Sequence, residues 1–110
     1  MDFTRATWTW NRESQTLIVT GSVDEIVIDD LRLAIYEATS HYSRDLTIDL
    51  SGVDFLPSMG IGVLASAMRQ AAENETTVRL LAPSKSLADK ILTLSGIPHA
   101  PEPDAPLSVT

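Results

Sequence analysis

Ser58 is the residue of this chain whose type and position point most directly to chemistry. It follows a predicted strand, since apolar and polar residues alternate over residues 46–50. Apolar residues then recur at helical spacing from Ile61, so Ser58 is expected in the first turn of a helix. The free N–H groups and the positive dipole end there favour an acceptor oxygen or an anion. A hydroxyl at this place has two candidate roles, a helix N-cap and an acceptor for a phosphoryl group.

Three carboxylates and two histidines are the other groups that could support catalysis or bind a metal. Asp24, Asp49 and Asp54 would suit a catalytic pair or a magnesium site, but no general base, nucleophile or phosphate-binding glycine loop accompanies them. We therefore expect Asp24 and Asp54 to cap loops and helices, and Asp49 to lie on the second face of its strand. His41 and His99 are far apart in sequence, so both are predicted to be solvated surface residues. The sequence predicts no catalytic residue, no metal site and no cofactor.

Composition narrows the class of protein and its partners. The chain has 110 residues, of which 44% are hydrophobic and 21% charged, as expected for one globular domain. A net charge of −7 argues against nucleic-acid binding, because phosphate backbones are met by clusters of Lys and Arg. An acidic surface suits a basic protein partner. Without an apolar stretch of signal-peptide or membrane-span length, the sequence predicts a cytoplasmic protein with no membrane insertion.

Strand and helix patterns alternate along the rest of the chain. Two β-rich runs, 6–10 and 16–20, flank a polar turn and predict an N-terminal hairpin. Trp8 and Trp10 share one face of its first strand, either packed under the sheet or marking an edge surface for binding or dimerisation. The first helix is predicted over 26–41. Together the patterns predict an α/β fold with a mixed sheet of four or five strands and helices mainly on one side.

The C-terminal segment differs in composition from the rest. Four of the six prolines lie between residues 98 and 106, which forbids a helix and leaves few donors for a sheet. We predict a domain over residues 1–97 and an extended, mobile tail over residues 98–110, of which residues 107–109 either touch the body of the domain or stay free of it. Deletion of residues 101–110 is expected to leave the melting temperature nearly unchanged.

Residues 45–64 resemble the STAS domains of bacterial anti-sigma factor antagonists. In that family a strand ends Asp-Leu-Ser-x-Val, a loop reads Asp-Ser-Ser-Gly, and a helix follows. Residues 49–53 here read Asp-Leu-Ser-Gly-Val, and residues 60–64 fit the helix start. The loop itself, residues 57–60, reads Pro-Ser-Met-Gly instead. Weaker matches near the predicted second strand and first helix extend the resemblance over most of the chain.

The resemblance implies a regulatory protein-binding module. In the family, the unmodified domain presents this loop and the first turn of the following helix to an anti-sigma factor of the serine kinase type, which releases its sigma factor. Phosphorylation of the loop by that kinase ends the interaction. The contact residues carried over by position are Asp24, Asp54, Phe55, Leu56, Pro57, Ser58, Met59, Gly60 and Ile61.

Met59 is the main departure from the family pattern. The family's phosphorylated hydroxyl residue stands directly before the glycine, where this chain has a methionine. The implied phospho-switch is therefore lost or altered, and Ser58 is the one hydroxyl left in the loop as a phosphorylation candidate. Met59 either packs under the loop or forms an exposed partner contact.

A second function stays open at this point. A STAS domain without the switch would serve as a constitutive accessory subunit, for example of a lipid-transport ATPase or a signalling scaffold, and Met59 favours this alternative. An enzyme ranks third because the sequence shows no catalytic constellation. The sequence does not decide between a monomer and a homodimer.

Overall fold

Strands and helices alternate along residues 4–109, the part of the chain that the computed structural model describes. The first helix is shorter than predicted because the chain turns after Thr39 through three residues of positive φ, Ser40, His41 and Tyr42. The elements are β1 (Thr7–Asn11), β2 (Thr16–Ser22), α1 (Ile28–Ala38), β3 (Leu46–Phe55), α2 (Ser58–Glu73), β4 (Val78–Leu81) and α3 (Leu87–Leu94).

The four strands form one mixed sheet in the order β1-β2-β3-β4. β1 and β2 pair antiparallel as the predicted hairpin, whereas β2, β3 and β4 pair in parallel. Parallel neighbours need crossover connections, and α1 and α2 provide them. Right-handed crossovers in one direction across the sheet place both helices on the same face, where they contact each other. The predicted α/β fold class is therefore confirmed.

The core lies between this face of the sheet and the helices. In β3, Leu46, Ile48 and Leu50 are at most 2% exposed, as their alternation predicts. Trp8 and Trp10 are partly buried and pack against the core from β1, so packing under the sheet is the correct alternative for this pair. No helix within residues 4–109 is long and apolar enough to cross a bilayer.

The predicted tail begins with residues that are attached to the sheet. The backbone N–H of Ala100 donates to Leu80, and its carbonyl accepts from Ala82, over 2.9 and 2.8 Å. His99 exchanges two backbone hydrogen bonds with Ser108, so the chain folds back on itself. The boundary between residues 97 and 98 stays a prediction, but the mobile tail was wrong for the residues just after it.

His99 was wrongly predicted to be a surface residue. It is 3% exposed, and its Nε2 lies 2.7 Å from a carboxylate oxygen of Asp89 in α3. This hydrogen bond, with a second from the backbone N–H of Lys85, lowers the pKa of the Asp89 carboxyl. His99 is buried because the next residue, Ala100, pairs with β4. This is a long-range contact that leaves no local signal in the sequence. His41 is exposed, as predicted.

Candidate partner-binding site

The candidate loop joins the end of β3 to the start of α2 with only two intervening residues, Leu56 and Pro57. Leu56 is 3% exposed and anchors the loop in the core. The carbonyl of Phe55 accepts the backbone N–H of Val23 over 2.9 Å, which ties the loop to the end of β2. A short connection held at both sides presents its exposed side chains from a fixed frame.

Gly60 lets the first turn of α2 lie close against the end of β2. A Cβ atom at this position would lie 2.9 Å from Leu56 Cδ1 and 3.1 Å from Val23 Cγ1. Such separations are shorter than normal carbon contacts, so a larger residue would force these buried side chains or the helix to shift. Gly62, one residue further, has no atom within 4 Å of a Cβ built on it and faces open space. The two glycines therefore have different roles.

Ser58 is the first residue of α2 and not its N-cap, so the predicted capping role was wrong. The N-cap residue is Pro57, which has an extended backbone. Its side chain has no oxygen that could accept a capping hydrogen bond from the helix. Ser58 is exposed, and its hydroxyl has no hydrogen-bonding partner within residues 4–109. The first turn of α2 also lacks an acidic residue. Its free N–H groups and dipole charge are thus not balanced by an acidic side chain of the turn itself, which favours a negative group here.

Two large apolar side chains on either side of Ser58 in the sequence are exposed. Met59 is 52% exposed and Phe55 is 43% exposed, although both lie next to buried residues of the loop. The alternative in which Met59 packs under the loop was therefore wrong. Ile61 is partly buried and packs against the core. Exposed apolar residues around a rigid turn are typical of protein contact surfaces, where a flexible thioether adapts to a partner.

The two carboxylates of the predicted contact set lie at the same end of the sheet. Asp24 accepts the backbone N–H groups of Ile26 and Val27 over 3.0 and 3.2 Å, as the predicted capping role requires. Its other oxygen pairs with Arg5 Nε at 3.0 Å, and this hydrogen bond is the main reason that the pKa of Asp24 is lowered. Asp54 accepts the Ser22 hydroxyl over 2.5 Å. Both groups stiffen the frame around the loop.

The structure brings the nine predicted contact residues to one end of the sheet but does not expose all of them. Leu56 and Gly60 are buried and support the surface from below. Val23, which sequence reasoning missed, joins β2 to the loop. It lies within Gly-Ser-Val-Asp, residues 21–24, which is the weaker family match near the second strand and was the available signal.

Asp49 is separate from this site. On β3 its carboxylate accepts the backbone N–H and the hydroxyl of Ser51 over 2.9 and 2.5 Å. Within residues 4–109 no group of three or more His, Asp or Glu side chains is placed to hold a metal ion.

Comparison with known proteins agrees with this architecture. The family model described as "Mlab, STAS domain" matches residues 6–99. An anti-sigma factor antagonist from Mycobacterium paratuberculosis is similar in structure, with a TM-score of 0.71 and 25% identity over 90% of this chain and 88% of that one. The anti-sigma factor antagonist SpoIIAA in its unphosphorylated form has a TM-score of 0.62 and 20% identity over 84% and 81% of the two chains. Because the family model matches most of its length, the chain belongs to the STAS domain family.

Proposed function

We propose that this chain is a cytoplasmic, non-enzymatic regulator that binds an anti-sigma factor of the serine kinase type. Binding would occupy the anti-sigma factor and free its sigma factor. The likeness to the mycobacterial anti-sigma factor antagonist supports this partner class. The acidic net charge of −7 suits association with a basic protein surface.

The observation that carries the proposal is the exposed apolar pair on a rigid frame. Phe55 and Met59 flank Ser58 and are about half exposed, while Gly60 and Leu56 fix the turn beneath them. Such a surface combines apolar anchors with a helix N-terminus that attracts a partner carboxylate. We therefore place the contact on the exposed residues of the loop and on the first turn of α2.

The phospho-switch is altered in this proposal because Met59 occupies the usual phosphorylation position. Ser58 becomes the candidate acceptor, since its hydroxyl is exposed and unpaired within residues 4–109. A phosphoryl group there would add about 1.5–2 negative charges beside the apolar pair and weaken the complex.

The exposed Met59 also favours a second candidate, a constitutive accessory subunit of a lipid-transport ATPase or a signalling scaffold. Methionine accepts no phosphate, so a domain using it as an anchor would bind without regulation at this position. The gene neighbourhood separates the two candidates. An adjacent kinase of the anti-sigma type supports the first candidate, and an adjacent transporter supports the second.

A pair of matched variants tests the contact surface. Met59 and Leu33 are equally exposed apolar residues, at 52% and 53%, but Leu33 lies on α1 near Gln70, about three turns along α2 from Met59. Tagged protein is used to capture partners from native lysate, which mass spectrometry then identifies. Met59→Arg should abolish capture of the anti-sigma factor kinase, whereas Leu33→Arg should leave it unchanged.

Two outcomes would count against the proposal. Capture of transporter subunits in place of a kinase would support the accessory role. Capture of the kinase by Met59→Arg as strong as that by the unmodified protein would place the contact outside the loop.

A further inference from the structure

A cavity with charged and polar residues in its lining lies at the opposite end of the sheet from the candidate loop. It has a volume of about 370 Å³ and opens at the amino ends of β3 and β4, beside the turn between β1 and β2. This volume falls within the range of small-molecule sites. Its lining residues are Ser14, Gln15, Arg44, Asp45, Leu46, Thr47, Thr77 and Arg79.

Internal hydrogen bonds fix the walls of this cavity. The amide nitrogen of Gln15 donates to the carbonyls of Ala38 and Asp45 over 2.9 and 3.0 Å, and its amide oxygen accepts the Trp10 N–H. The carboxylate of Asp45 accepts the backbone N–H of Thr77 over 2.8 Å. The turn, the start of β3 and the start of β4 are thus joined around the opening, and the cavity is preformed.

Several donors around the cavity have no partner. Arg79 Nε is buried and makes no hydrogen bond, although another nitrogen of the same guanidinium donates to the carbonyl of Ala105. Arg44 makes no ion pair within residues 4–109, and the hydroxyls of Thr47 and Thr77 are also unbonded there. A buried donor without an acceptor is costly. The guanidinium of Arg79 therefore keeps unused capacity to donate hydrogen bonds at the wall of the cavity.

The charges of the lining residues suggest which ligand fits. Two guanidinium groups favour a phosphate or carboxylate group, which they bind through paired N–H donors. The second carboxylate oxygen of Asp45 is available as an acceptor, which suits a ligand that also carries hydroxyl groups. We propose that this cavity binds a small hydroxylated phosphomonoester, with its phosphate on Arg44 and Arg79 and a hydroxyl on Asp45.

Ribose 5-phosphate is a suitable probe. Ribose, which carries only the hydroxyl groups, and inorganic phosphate, which carries only the anionic group, serve as control ligands. Titration followed by amide chemical shifts should give saturable changes at Gln15, Thr47 and Thr77 and none in the candidate loop. Ribose 5-phosphate should bind more tightly than inorganic phosphate, and ribose should not bind.

Two matched variants distinguish specific binding of ribose 5-phosphate in the cavity from general attraction of its phosphate to positive charges on the protein. Arg44→Gln removes an exposed side chain without internal contacts, so it should leave the fold intact and weaken ribose 5-phosphate at least about tenfold. Arg69→Gln removes an equal charge from the exposed face of α2 and should change nothing. The proposal is overturned if no saturable shift occurs, if ribose alone binds, or if both variants weaken binding equally.

Discussion

Ser58 combines the properties that a phosphoacceptor on this surface needs. It is exposed, its hydroxyl is unpaired within residues 4–109, and it begins a helix whose first turn has no acidic residue. A phosphoryl group at this place would meet free backbone N–H groups and the positive end of the helix dipole. The residue is therefore chemically suited to the altered switch that we propose.

Incubation with the partner kinase and ATP tests this suitability. We expect either no change in mass, as in a constitutive binder, or one added phosphate that Ser58→Ala abolishes. Intact-protein mass spectrometry and peptide mapping provide the measurement. A phosphate mapped to Ser51, Ser66 or Thr77 instead would contradict the assignment.

Residue types alone predicted the location of Ser58 but not its local role. Capping of α2 was one of the two candidate roles of the hydroxyl, yet Pro57 takes the cap position, with an extended backbone of φ −78° and ψ 172°. The sequence likewise did not decide whether the Met59 side chain packs under the loop or is exposed to a partner. The exposure of Met59 depends on how the first turn of α2 packs against the end of β2. The local sequence pattern does not determine this packing.

At the scale of elements, α2 depends on two glycines with opposite requirements. A methyl group at Gly60 would lie 2.9 Å from Leu56 Cδ1, while one at Gly62 would meet no atom within 4 Å. Overpacking costs about 1–3 kcal/mol, and alanine gains about 0.5–1 kcal/mol over glycine in a helix.

The matched substitutions should therefore change stability in opposite directions. Gly60→Ala should lower the free energy of unfolding by about 1 kcal/mol, because overpacking exceeds the helix gain. Gly62→Ala should raise it by about 0.5–1 kcal/mol. Urea denaturation of both variants measures this difference. Stabilisation by both alanines would show that α2 does not lie closely on β2.

Elements with strong periodicity were predicted well from sequence. The alternation in β3 and the helical spacing of α2 come from side chains that face one common core, so each pattern is visible locally. The pairing of Ala100 with β4 has no such signal, since a single residue makes it and the contact spans about 20 positions. The same reason explains why burial of His99 was missed.

For the whole molecule, the C-terminal segment tests where the folded domain ends. Ala100 is fully buried against β4, whereas most residues between 101 and 109 are exposed. Removal of residues 101–110 deletes the two backbone bonds between His99 and Ser108, which should cost about 1–2 kcal/mol. A chain ending at residue 97 also loses the Ala100 pairing and the buried His99.

Denaturant unfolding of the two truncated chains provides the measurement. We expect the chain ending at residue 100 to be about 1–2 kcal/mol less stable than the full chain. The chain ending at residue 97 should be at least about 2 kcal/mol less stable than the chain ending at residue 100. Equal stability of the two truncated chains would support the sequence-based boundary between residues 97 and 98.

The central claim is that a partner binds at the loop and the first turn of α2, and a single charge placed there tests it. Ser58→Asp adds a carboxylate at a helix N-terminus, which should preserve the fold and add about 0.3–1 kcal/mol of stability. Ala72→Asp puts the same charge on an exposed position near the other end of α2 and serves as the control.

Isothermal titration calorimetry with the captured anti-sigma factor is the most direct measurement. We predict that Ser58→Asp weakens binding more than about tenfold, or about 1.4 kcal/mol, while Ala72→Asp binds like the unmodified protein. If folded Ser58→Asp binds as tightly as the unmodified protein, the partner surface lies elsewhere and the proposed function at this loop is contradicted.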